Sequence, residues 1–93
     1  MARPSDGIAP TILRLLASRG LMQTICPSEV ARAITPHHTG APDAWRAHMA
    51  DVRAFVVRMA ARGEVVVMQR GRAVDTMTAR GPIRIGPVRG RGR

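Results

Sequence analysis

The sequence predicts an α+β domain of three helices followed by a C-terminal β-hairpin, and three observations carry that reading. Apolar residues recur at helical spacing through the first two thirds of the chain. The run EVVVMQ (64–69) is short and β-branched, as a strand should be. Glycine and proline stand wherever one pattern gives way to the next.

The first helix runs from about Ile8 to Arg19, because Ile8, Ile12, Leu15 and Leu16 share one face. Asp6 or Ala9 is the expected cap, and Pro10 must then fall in the first turn, where its missing N–H does no harm. Gly20 is the natural stop. Thr24–Ile25 reads as a short extended step, since Pro27 biases Cys26 toward extended angles. Pro27 suits the first position of a second helix and Glu29 the third, where a carboxylate meets free N–H groups and the positive end of the dipole. Val30 and Ile34 form the apolar side of that helix, which ends near Thr35–Pro36. TPHHTGAP (35–42) reads as a loop.

Asp43 is expected to cap the longest helix, about 43–62. With residues set about 100° apart, Trp45, His48, Met49, Val52, Phe55, Val56, Met59 and Ala60 fall in one core-facing arc. Arg46, Ala50, Arg53, Ala54 and Val57 form a small, basic arc beside it, and Asp51, Arg58 and Arg62 a third, charged one. Gly63 ends the helix. The strand 64–69 then leads into RGRAVD (70–75), read as a turn with two arginines around Gly71, and PIRI (82–85) reads as the returning strand. The order is helix, short strand, helix, helix, strand, basic loop, strand. That is the winged helix-turn-helix plan, in which the outward arc of the third helix enters the major groove. Residues 1–7 are expected to be a flexible N-terminus, 8–85 the domain and 86–93 a disordered Arg/Gly tail.

A chain of 93 residues is expected to form one domain with a small core. Trp45 and Phe55 are the only aromatics, so aliphatic and methionine side chains must fill that core. Net charge is +9, all fifteen basic residues are arginine, and seven of them fall in residues 63–93 against two acids. Such an excess in one third of a small domain points to a polyanion partner, although codon bias and solubility would also produce it. A single cysteine excludes an intramolecular disulfide and a cysteine-zinc cluster. No run of 18 apolar residues exists, and the segment after Arg3 is a poor signal peptide, so a cytoplasmic location without membrane contact is expected.

The strings ICPSEVARAI, WRAHMADVR, ARGEVVVMQRGRAVD and RGPIRI also resemble the pattern of a small, mostly bacterial family. That family is catalogued as a domain of unknown function and grouped with winged-helix proteins. The resemblance covers about residues 8–85, and CPSEVAR together with the Gly-Pro-Ile-Arg ending is its most specific part. It implies the winged-helix fold and carries no assigned activity or catalytic residue. The segment 36–42 is longer and more polar than the family's usual link.

The residues expected to carry function are Arg46 and Arg53, two turns apart on one helix face, and Arg70 and Arg72, which flank Gly71 at the wing tip. Ala50 and Ala54 would let the helix sit close in a groove of duplex DNA, the expected partner. The alternative for these arginines is a solvated face paired to Asp43 or Asp51. Stacking on single strands or RNA is disfavoured, because Trp45 and Phe55 are assigned to the core. A second function class keeps the scaffold without DNA binding and docks a protein partner through Val57 and the wing strands. An enzyme is not expected: the six acids are scattered and no Ser–His–Asp arrangement is present. Cys26 at a helix start is favoured as a thiolate in principle, but a small buried cap-side residue is the simpler reading. Cys26, His37 and His38 lack a fourth ligand and metal-ligand spacing, so no metal or cofactor is expected.

Overall fold

The computed structural model describes residues 7–20, 23–36, 42–76 and 78–88. Three helices precede a small three-stranded antiparallel sheet, an α+β arrangement. Helix α1 spans Ile8–Arg19. Its N-cap is Gly7, with no side-chain cap, and Ala9 lies within the first turn rather than capping it. The other expected cap, Asp6, lies outside the described residues. Gly20 closes the helix at φ +95°, and its N–H donates to the Leu16 carbonyl at 3.2 Å. Only glycine adopts such a φ without strain.

Helix α2 spans Pro27–Ile34. Pro27 opens it, and the Glu29 carboxylate accepts the Cys26 N–H at 3.1 Å, so a donor that the helix leaves free is satisfied. Arg19, from the last turn of α1, forms an ion pair with the same carboxylate and ties the two helices together.

The long third helix is not uniform. Ala44–His48 is a 3-10 turn, and helix α3 proper spans Met49–Ala61. Asp43 provides no side-chain cap; its carbonyl accepts the Arg46 N–H at 3.0 Å, as the tighter turn requires. At the other end Gly63 (φ +76°) donates to Ala60 and Glu64 donates to Met59, the paired bonds of a Schellman ending.

Strand β1 is Val66–Gln69, β2 is Arg72–Ala73 and β3 is Arg84–Gly86, ordered β2-β1-β3 in the sheet. The expected two-stranded wing is therefore incomplete. RGRAVD is not wholly turn: Arg72 pairs with Gln69 and Ala73 with Met68, around a two-residue turn at Arg70–Gly71. The expected returning strand is realised as β3, with Val67 opposite Ile85. Its far edge is bridged to Ile25 by bonds of 2.7 and 2.8 Å, so the short extended step before α2 belongs to the sheet.

The core lies between the three helices and the inner face of the sheet. It is built from Ile8, Ile12, Ile25, Val30, Val52, Val56, Met59 and Ile85, all essentially inaccessible, with Val65, Val67 and Ile83 closing it. Trp45 and Phe55, expected in this core, are only partly buried at its margin. Val57, expected on the surface, is half-buried. Among the described residues no helix is long and apolar enough to cross a membrane.

Candidate nucleic-acid interface

Arg46 sits on the 3-10 turn with its side chain 69% exposed. Its Nε lies 3.9 Å from the Asp43 carboxylate, itself 70% exposed. A pair this long and this wet contributes little, so Asp43 holds Arg46 only loosely. The guanidinium also lies over the Trp45 ring, 4.8 Å from its centroid, and Arg32 of α2 lies 4.6 Å from the same centroid. Trp45 thus works as a platform for two cations from different helices, each held by the ring's negative face. Arg58 lies in the same way over Phe55, at 4.4 Å. Both aromatic residues lie at the margin of the core with arginines over their rings.

Arg53 lies in α3 and is half-buried, unlike Arg46. The two were expected two turns apart on one face of a continuous α-helix. A 3-10 step turns about 120° and an α step about 100°, so the observed mixture rotates Arg46 roughly 60° relative to that expectation. Both remain on the same side of the element, but not in one row.

Arg70 and Arg72 are exposed on either side of Gly71. Arg70 has φ +53° and Gly71 has φ +80°, the signs of a type I′ turn, which suits the twist of a tight hairpin. The hairpin forms one wall of a concavity of about 830 Å³, and the segment leading into β3 forms the other. Arg70, Arg72, Arg80 and Arg84 all line it. Gln69 braces the two walls: its side-chain amide donates to the Arg80 carbonyl and, at 3.1 Å, to the Pro82 carbonyl. The Arg84 guanidinium is engaged elsewhere, donating to the Thr24 hydroxyl at 2.9 Å and the Thr24 carbonyl at 3.0 Å. No ion pair among the described residues involves Arg70, Arg72 or Arg80.

Of the four expected site residues, the structure gathers Arg70 and Arg72 around one concavity and leaves Arg46 and Arg53 on the third helix. Sequence reasoning missed Arg80 and Arg32. Arg80 carries only a weak signal: its Arg-Gly pair at 80–81 repeats that at 70–71, but the same pair stands at 19–20 and 62–63, and all four glycines have positive φ. Arg32 has no such signal, because its contact with Trp45 joins two helices.

Cys26 is half-buried at the start of α2, with Sγ 3.1 Å from the Ser28 hydroxyl. His37 and His38 lie outside the described residues. Among the described residues, no cluster of three His, Cys, Asp or Glu has the arrangement of a metal site. The clearest electrostatic perturbation is at Glu29. Partial burial opposes its charge, but the Arg19 hydrogen bond, the Cys26 N–H and the positive charges of Arg19 and Arg84 outweigh it, holding the carboxyl below its ordinary value. This serves the joint between α1, α2 and β3.

The family model described as "Protein of unknown function (DUF3253)" matches residues 5–88. No curated protein matches the chain. The chain belongs to that family.

Proposed function

We propose that this member of the family is a winged-helix domain that binds duplex DNA, with the third helix in the major groove and the wing on the adjoining backbone. The order of elements supports the fold assignment: three helices, a bridge from Ile25 to β3, and a β1–β3 pair from which the Arg70–Gly71 hairpin projects. The observation that carries the functional reading is the placement of cations. Arg70 and Arg72 stand exposed without an acidic partner, and Arg46 is exposed over the Trp45 ring with a single, long acidic contact to Asp43. Cations left unneutralised on a small basic domain are suited to releasing counterions from a phosphate backbone. Roughly four to six phosphate contacts would give a log–log salt slope of about −4 to −5.

The test is binding of the whole chain to random duplex DNA at two salt concentrations, for the wild type and Arg46→Ala/Arg53→Ala. The variant should bind more weakly, with a slope shallower by about 2. Trp45, the sole tryptophan, reports the same event, because a phosphate that draws Arg46 from its ring alters the ring's surroundings and hence its fluorescence. Equal, weak binding by wild type and variant refutes the groove-helix reading.

One observation favours a second reading, a protein-interaction module. Leu13 is 48% exposed and borders a cleft of about 340 Å³ with Leu16, Pro87 and Val88. A stoichiometric protein partner, together with no affinity for DNA, would select that reading.

A further inference from the structure

The geometry points to the concavity within the wing as a binding site for nucleic-acid phosphates, with Arg80 as a ligand alongside Arg70 and Arg72. The inference rests on the proposed DNA binding and identifies the residues and the chemical group through which the wing engages its partner.

Three independent features converge here. The first is charge. Four of the nine residues lining the concavity are arginines, and none is acidic. A cleft lined by one sign of charge focuses its field and concentrates counter-ions there. Arg84 is held by Thr24, which leaves Arg70, Arg72 and Arg80 as the guanidiniums able to turn inward.

The second is construction. The walls come from segments ten residues apart in sequence, and the Gln69 amide fastens one to the other through two backbone carbonyls. Arg80 is therefore presented from an anchored backbone, opposite the hairpin. A guanidinium on each wall can approach one phosphodiester from two sides, and its forked donors match the paired phosphate oxygens.

The third is the backbone at Arg70. The first central position of a type I′ turn favours Asn, Asp or Gly, because φ is positive there. This chain has arginine at φ +53°. Turn chemistry does not select that residue, and its side chain lines the concavity.

The test uses the full chain and a fluorescently labelled random duplex, with anisotropy read over a series of salt concentrations. Arg80→Ala should bind on the order of ten-fold more weakly, and its salt slope should be shallower by about 1. Arg80→Lys should recover part of the affinity. Arg62→Ala removes the same charge from the exposed C-cap of α3, which does not line the concavity, and should change binding much less. Thermal melts should show Arg80→Ala folded, since its side chain forms no ion pair within the described residues.

If the wild type binds no duplex, the DNA-binding reading fails and the site fails with it. If the wild type binds, Arg46→Ala/Arg53→Ala weakens it and Arg80→Ala matches Arg62→Ala, only the wing site is overturned. Tight, saturable binding of inorganic phosphate by calorimetry, lost in Arg80→Ala while duplex affinity is unchanged, would reassign the concavity to free phosphate and overturn the backbone assignment.

Discussion

Replacing Arg70 by Asn should stabilise the fold and weaken nucleic-acid binding in the same protein. Arg70 is held at φ +53° in a two-residue turn. Left-handed backbone costs an L-residue with an ordinary side chain roughly 1–2 kcal/mol, and Asn recovers much of that through local hydrogen bonding. The expected gain is about 1 kcal/mol, which for a domain of this size raises Tm by about 4–8 °C. The same substitution removes one guanidinium from the wing, so the salt slope of duplex binding should become shallower by about 1. Arg72→Asn is the control for charge. It removes the same cation from a strand position paired with Gln69, where there is no left-handed strain to relieve, and should not raise Tm. Calorimetric melts and anisotropy titrations at fixed buffer composition give both readouts. A lower Tm for Arg70→Asn would refute the reasoning, because it would make the arginine a structural requirement of the turn. A rise in both variants would attribute the gain to reduced charge repulsion instead.

Two further outcomes test the scaffold. Ile85 is fully buried and bridges Ile25 on one side and Val67 on the other, so Ile85→Ala should destabilise the domain by about 2–5 kcal/mol in denaturant titrations; a loss below about 1 kcal/mol would show that the sheet edge is not part of the core. Glu29→Gln keeps a side chain able to accept the Cys26 N–H but removes the charge that Arg19 pairs with. Because the folded-state carboxyl is held below its ordinary value of 4.5, its stabilisation is fully present above that value and is lost as pH falls through the lower folded value. The wild type should therefore melt above the variant at pH 7, by less than about 1 kcal/mol for so exposed a pair. The gap between the two melting temperatures should narrow as pH falls below 4.5, and a constant difference down to pH 3 would contradict the assignment.

The points where the sequence was easiest to read are those where chemistry acts within a few residues. Gly20 and Gly63 end helices because the next turn needs a positive φ. Pro27 and Glu29 start one because a proline and a carboxylate suit its unsatisfied first turn. The aliphatic core positions Ile8, Ile12, Val52, Val56 and Met59 follow from the same 3.6-residue period.

The sequence by itself determined the helices, the main strands and the excess of arginine toward the C-terminal end. Only the tertiary structure decided three things that bear on the proposed site. The segment Ala44–His48 tightens to a 3-10 turn where it packs against α2, a contact between elements that no local periodicity encodes. Trp45 lies at the margin of the core, where Arg32, from another helix, lies over its ring. Arg80 joins Arg70 and Arg72 because β2 and β3 flank β1 and Gln69 fastens the intervening segment across the sheet. Local propensities are set by neighbouring residues, whereas a cluster of cations drawn from separate segments exists only once long-range pairing has closed the loop between them.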